Sequence, residues 1–163
     1  MKVLFVCSGN SEFGIRLIKN QGDSLKNNGV DIHYFPIIGK GFKGYLSNVP
    51  KLKKTLISNK YDIVHAHYSL SAMVASLSGA KPLIVSLMGS DVQANIFCKL
   101  MIRLFSNVSW SKTIVKSSRM KNDIGISNVV VIPNGVDLGR FEVIEKNVAK
   151  RKIGFNNKRH IIF

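Results

Sequence analysis

The sequence predicts an α/β fold: a Rossmann-like parallel sheet with helices on both faces. Strand-like apolar runs alternate with helical segments along the chain, which is typical of a right-handed parallel sheet. The first run, Lys2–Ser8, is continuously apolar, as expected for a central strand buried on both faces. A length of 163 residues with 45% apolar residues is enough for one domain with its own core, and it excludes a wholly disordered chain.

The first half of the chain contains the first two strand–helix units. After the strand Lys2–Ser8, apolar residues at helical spacing predict a helix over 13–27, with Gly29 at its C-terminal end. A second strand is predicted over 31–36. The glycine-rich, basic stretch 38–44 predicts a loop. One helix is expected after it, because four apolar residues share a helical face: Leu46, Val49, Leu52 and Leu56.

The second half repeats the alternation with shorter elements. Strands are predicted over 63–66, 83–87, 113–115 and 129–132, and helices over 70–77, 94–105 and 118–124. The composition becomes polar after Phe141, and an apolar run at 160–163 then ends the chain. We interpret 1–141 as one domain, and 142–163 as a linker and the first strand of a truncated second domain. The alternative is that 160–163 forms an edge strand of the first sheet.

The charge is strongly basic, with 24 Lys and Arg against 9 Asp and Glu and a net charge of +15. Three stretches contain no acidic residue: 32–61, 92–122 and everything after Glu145. Such stretches favour an anionic membrane, a phosphorylated ligand or nucleic acid as partner, although solvated helix faces would also explain them. Cys7 and Cys98 are too few and too isolated for a disulfide framework or a zinc site. With no signal peptide and no apolar run of about 20 residues, a cytoplasmic location is expected.

The first strand is followed by a glycine-containing loop, from Gly9 to Gly14. The glycine spacing is that of a Walker A loop, but Ile15 and Arg16 replace the lysine and hydroxyl residue that bind phosphate and magnesium. ATP hydrolysis is therefore disfavoured, and the GxGxxG pattern of dinucleotide sites is absent. A turn at a helix N-terminus remains, which suits an anion but is also common for packing alone.

Polar residues also follow the third and fourth strands, where open parallel sheets bind ligands. His65 and His67 come from the third strand, and Ser90 and Asp91 follow the fourth. His67 is a candidate site residue, or a structural histidine in the core. Asp91 either faces the cleft or caps the helix that follows it. No third metal ligand accompanies the two histidines, so no metal site is expected.

Four stretches together resemble the N-terminal domain of a family 4 retaining glycosyltransferase. They are MKVLFV at 1–6, YDIVHAHY at 61–68, KPLIVSLMGSD at 81–91 and VIPNGVDLGRF at 131–141. The resemblance implies two facing Rossmann-like domains with the active site between them. It also implies that this chain is the acceptor-binding half and that most of the nucleotide sugar is held by the other half.

The resemblance also assigns site residues. Asp91 and His67 would be catalytic, and six residues would contact acceptor or donor: Gly9, Gly14, Met88, Gly89, Ser90 and Asn134. Met88 stands where the family often has a histidine, and a thioether cannot make the strong hydrogen bonds of an imidazole. No cofactor or metal is expected beyond the nucleotide sugar as co-substrate. In a full-length enzyme, Asp91→Asn would lower turnover or acceptor affinity and leave the fold intact.

The function predicted in this way is transfer of a sugar, with retention, from a nucleotide sugar to a glycan or lipid-linked acceptor. The fragment alone is expected to be inactive. The lysine-surrounded apolar face of 44–60 is expected to rest on an anionic membrane at the inner face. The alternative is a stand-alone, non-catalytic domain that binds a sugar or a polyanion. Nucleic acid is not expected as a partner, because no aromatic residues interleave with the lysines as stacking platforms.

Overall fold

The computed structural model describes residues 1–91, 96–136, 139 and 141–155. Its strands are β1 Lys2–Ser8, β2 Asp31–Ile37, β3 Ile63–His67, β4 Leu83–Ser86, β5 Lys112–Val115 and β6 Val129–Val131. Its helices are α1 Glu12–Asn27, α2 Gly41–Leu46, α3 Val49–Ser58, α4 Ser69–Leu77, α5 Ile96–Val108, α6 Ser118–Ile124 and α7 Lys146–Lys152.

The strands form one parallel sheet in the order β2-β1-β3-β4-β5-β6. The fold class predicted from the sequence, a Rossmann-like α/β sheet, is confirmed. Because all the strands point the same way, their carboxyl ends meet at one edge of the sheet. There the register places Ser8 of β1 opposite Ile37 of β2, and His67 of β3 opposite Ser86 of β4.

The two faces of the sheet carry separate apolar clusters, as the continuously apolar β1 requires. Val3, Phe5 and Cys7 point to one face, where they pack with Ile18 of α1. Leu4 and Val6 point to the other, where the larger cluster includes buried residues of α3, α4, α5 and α6. Helices therefore cover both faces, as predicted, and among the described helices α1 supplies the cover on the smaller side.

The segment after β2 differs from the sequence-based prediction. The expected loop at 38–44 ends in the short helix α2, and the expected single helix is divided into α2 and α3. The division lies at Asn48, whose side-chain amide donates hydrogen bonds to the carbonyls of Ile38 (3.0 Å) and Gly44 (2.8 Å). A side chain that binds nearby backbone groups in this way competes with helix continuation. Pro50 then falls in the first turn of α3, where proline is tolerated.

The apolar face of 44–60 is part of the core. Leu52 is fully buried, and Val49 and Leu56 pack against the larger cluster. The expectation that this face rests on a membrane is therefore wrong, because its apolar side chains are already covered by the sheet and α4. Ile57, on the same helix, is 77% exposed.

The C-terminal part is described as far as Phe155. Helix α7 begins at Glu145, whose carboxylate accepts hydrogen bonds from the backbone N–H groups of Asn147 and Val148. The predicted strand at 160–163 lies outside the described residues, and the proposed domain boundary at 141 stays a prediction. Within the described ranges, no helix is both long and apolar enough to cross a membrane.

Candidate functional site

A pocket of about 400 Å³ opens at the carboxyl edge of the sheet. The ends of β1 and β3, the first turns of α1, the loop after β4 and helix α2 all contribute to its walls. Its lining consists of Ser8, Ser11, Gly14, Ile18, Tyr45, His67, Tyr68, Met88 and Ser90. The pocket thus lies at the carboxyl edge, where open parallel sheets commonly bind ligands.

Of the site residues proposed from the sequence, four line this pocket: Gly14, His67, Met88 and Ser90. The other four do not belong to its lining: Gly9, Gly89, Asp91 and Asn134. Asn134 is exposed in the segment that follows β6. Gly89 has a φ of 104°, a left-handed conformation that favours glycine, so it shapes the loop between Met88 and Ser90.

His65 and His67 lie on one face of β3 and stack, with 4.3 Å between their ring centroids. The ring of Phe5 is 4.7 Å from that of His67. His65 Nε2 is 2.9 Å from the Ser86 hydroxyl oxygen and forms a hydrogen bond with it. His67 is only 1% exposed, and among the described residues neither of its ring nitrogens has a hydrogen-bond partner. A buried polar group without a partner is rare and often belongs to a functional site.

Burial keeps both histidines neutral. Burial, reinforced by the nearby Lys116 ammonium group, lowers the pKa of His65 from 6.5 to about 4. The pKa of His67 is also lowered well below 6.5, by burial first and then by His65 and Lys116. Lys116 follows β5 at the same edge, and its own pKa is lowered by burial. A neutral imidazole has one donor and one acceptor nitrogen, so His67 is suited to a hydroxyl group.

Asp91 is buried behind the pocket, where it joins two loops. One carboxylate oxygen accepts a hydrogen bond from the backbone N–H of Ser69 (2.9 Å), and the other accepts one from Met88 (2.7 Å). Burial raises the pKa of Asp91, and these hydrogen bonds partly offset the increase. Asp91 therefore acts as a cap for α4, and residues 92–95, which directly follow it, lie outside the described part of the chain. Its carboxylate fixes the position of Met88 relative to the start of α4.

The two glycines of the first loop have different structural roles. The Gly9 N–H donates to the carbonyl of Ile37 (2.8 Å), so it is already used within the protein. A Cβ atom at Gly9 would lie 2.5 Å from Ile38 Cδ1, whereas one at Gly14 would come no closer than 3.8 Å to Ser11 Oγ. Glu12 places a carboxylate in the first turn of α1. That carboxylate lies 3.5 Å from the Arg16 guanidinium group, so the two charges offset each other at this helix end.

Two tyrosines of the pocket were not predicted from the sequence. Tyr45 reaches it because α2 forms where a loop was expected. Tyr68 has a φ of 83°, which is strained for a side chain with a Cβ atom and is found most often at functional sites. Its position directly after His67 could have indicated the residue, but nothing in the sequence indicates its backbone conformation.

Comparisons with known proteins agree with this geometry. The family model described as Glycosyltransferase Family 4 matches residues 3–140. Sucrose-phosphate synthase from Thermosynechococcus elongatus superposes with a TM-score of 0.69 at 13% identity, over 94% of this chain and 52% of that one. Anabaena HepE, solved with UDP and glucose, superposes with a TM-score of 0.60 at 18% identity, over 96% of this chain and 51% of that one. The chain thus spans about half the length of these structures, and no curated protein matches it.

Proposed function

Since this chain belongs to glycosyltransferase family 4, we propose that it is the acceptor-binding half of an enzyme that transfers a sugar from a nucleotide sugar. The transfer proceeds with retention, and the acceptor is a glycan or a lipid-linked sugar. The other half of such an enzyme would supply most of the donor site. The fragment alone is inactive under this proposal.

The observation that carries the proposal is the convergence of four candidate residues on one pocket. Gly14, His67, Met88 and Ser90 come from three separate strand–loop units, yet all of them line the same 400 Å³ space. Packing of the core does not by itself require these four candidate residues to line a common pocket. The volume lies within the range of small-molecule sites, about 300–1,000 Å³.

The composition of the walls favours a sugar over a phosphate group. Tyr45, Tyr68 and Met88 offer apolar surface, and aromatic rings can pack on the C–H faces of a pyranose. His67 offers a neutral imidazole that can exchange hydrogen bonds with a hydroxyl group. We therefore place the acceptor sugar in this pocket, with His67 as its polar contact.

Ligand binding to the purified chain tests this assignment. Saturation-transfer NMR with a panel of mono- and disaccharides, with UDP and UDP-glucose as further probes, should show a saccharide bound more tightly than UDP. His67→Phe keeps the ring and its contact with Phe5, removes both ring nitrogens, and should lower saccharide affinity at least about tenfold, the effect of one lost hydrogen bond at roughly 1.4 kcal/mol. His33→Phe, at a half-buried histidine of β2 outside the pocket lining, is the matched control. Unchanged binding in His67→Phe would remove His67 from the site.

A second candidate function is a stand-alone domain that binds a polyanion without catalysis. The net charge of +15 favours it. Such binding would weaken steeply with salt, because it depends on the release of counterions. It would also be insensitive to His67→Phe, since that substitution leaves the charge of a neutral histidine unchanged. Tight, salt-dependent heparin binding without any saccharide bound in the pocket would support this candidate over the transferase half.

A further inference from the structure

Helix α5 carries an apolar stripe that faces solvent. Residues at successive turns are more than half exposed, from 54% to 75%: Ile96, Phe97, Leu100, Leu104 and Val108. At about 100° per residue they occupy roughly a third of the helix circumference. The opposite side of α5 packs into the core through Ile102, which is fully buried, and through Met101 and Phe105. The helix is therefore apolar on two sides, and only one of them is used by the fold.

The surroundings of the stripe are basic. Helix α5 lies in the stretch 92–122, which contains no acidic residue. Lys99 and Arg103 follow one side of the stripe on α5 itself. Arg103 Nε donates to the carbonyl of Ile124 (3.0 Å), which places α5 beside α6, and α6 adds the exposed Lys121. Apolar side chains bordered by lysine and arginine are typical of helices that lie in the interface of an anionic membrane.

We infer that the α5 stripe docks on an anionic lipid bilayer. A second copy of the chain fits less well, because it would bring two molecules of net charge +15 together. A domain facing the pocket would not cover the stripe either. Helix α5 follows the carboxyl end of β4 and ends just before the amino end of β5, so it runs from the pocket edge to the opposite edge. Val108, at the far end, is as exposed as Ile96. The inference does not depend on what the pocket binds.

Flotation with lipid vesicles tests the inference. The chain should bind vesicles of mixed phosphatidylglycerol and phosphatidylcholine at low salt and should not bind phosphatidylcholine alone. The double variant Leu100→Ser/Leu104→Ser should weaken this binding at least about tenfold, because two exposed leucines lose their transfer into the interface. The matched control is Ile57→Ser, which removes one exposed apolar side chain from α3, the helix first expected to touch the membrane.

A fluorescent variant reports insertion directly. Trp110, which is buried, is the single tryptophan of the chain and gives a constant background. Phe97→Trp should therefore show a blue shift on anionic vesicles that the unsubstituted chain does not show. Vesicle binding that is unchanged in Leu100→Ser/Leu104→Ser, or equal on neutral lipid, would overturn the inference. So would a concentration-dependent dimer abolished by the same variant, since the occupant would then be a second copy. Loss of vesicle binding leaves saccharide binding in the pocket unaffected, so the two proposals fail separately.

Discussion

Neither ring nitrogen of His67 has a hydrogen-bond partner among the described residues, although the side chain is almost fully buried. An unsatisfied buried polar group costs about 1–3 kcal/mol. His67→Phe should therefore raise the free energy of unfolding by about 1 kcal/mol, measured by urea denaturation, while it lowers saccharide binding. His65→Phe is the control: His65 is bonded to Ser86, so the same substitution there should destabilise the fold. Equal destabilisation by both substitutions would mean that His67 has a structural role only.

Asp91 is expected to be more important for stability than its sequence pattern indicated. In Asp91→Asn, one of the two backbone N–H groups, of Ser69 or Met88, would face an amide NH₂ group in place of an acceptor. The free energy of unfolding should fall by about 1–3 kcal/mol, so the substitution would lower stability as well as any function of the site. Asp123→Asn, which affects an exposed ion pair with Arg119, should change it by less than about 0.5 kcal/mol. Similar small effects at both positions would contradict the capping role.

His65 makes the stability depend on pH. Its pKa is about 4 in the folded chain and 6.5 when unperturbed, so between these values the unfolded state binds the additional proton. Stability is complete above pH 6.5 and is lost as the pH falls toward 4, by about 1.4 kcal/mol per pH unit for this group. His65→Gln removes one of the two buried histidines with a lowered pKa and should reduce the slope of unfolding free energy against pH, while His67 retains its own contribution. An unchanged slope in His65→Gln would show that other groups control acid unfolding.

At the scale of the element, two glycines of the first strand–loop–helix unit differ in the space around their Cα atoms. Gly14 lies inside α1 with free space around it, so Gly14→Ala should raise the free energy of unfolding by about 0.5–1 kcal/mol. Gly9→Ala brings a methyl group into contact with Ile38 Cδ1 and Pro36 Cβ and should lower it by about 1 kcal/mol or more. Thermal and urea unfolding of both variants provide the test. The same sign for both substitutions would contradict this assignment.

For some elements, the pattern of apolar residues in the sequence is enough to predict where the element begins and ends. Strand β1 and helix α6 have the predicted bounds, because a continuous apolar run and a capped amphipathic segment each depend on local chemistry. The region 38–58 was predicted less well. There the side-chain amide of Asn48 binds the carbonyls of Ile38 and Gly44, and one expected helix is divided into α2 and α3. Helical periodicity does not indicate these side-chain hydrogen bonds.

At the scale of the whole molecule, two surfaces are separate. The pocket lies at the carboxyl edge of the sheet, and the α5 stripe runs across a helix on one face. The net charge of +15 affects both surfaces, but in different ways. For the bilayer it supplies attraction around an apolar stripe. For the pocket it acts through Lys116, which helps to keep His65 and His67 neutral.

The sequence by itself determined the fold class and the edge of the sheet where the site lies. Apolar runs that alternate with helices predict a parallel sheet, although they do not predict the order of its strands. In a parallel sheet, the chain direction then places all carboxyl ends of the strands at one edge. The resemblance of the sequence to family 4 glycosyltransferases also identified four of the residues that line the pocket as candidates: Gly14, His67, Met88 and Ser90.

Only the tertiary structure decided which apolar face is buried and which polar group has a partner. Val49, Leu52 and Leu56 on α3 and the exposed stripe on α5 look alike in sequence, since both combine leucines with lysines at helical spacing. The difference is whether another element packs on them, and that depends on contacts between distant parts of the chain. For the same reason, Asp91 proved to cap α4, more than twenty residues before it, and His67 proved to lie buried without a partner beside the pocket.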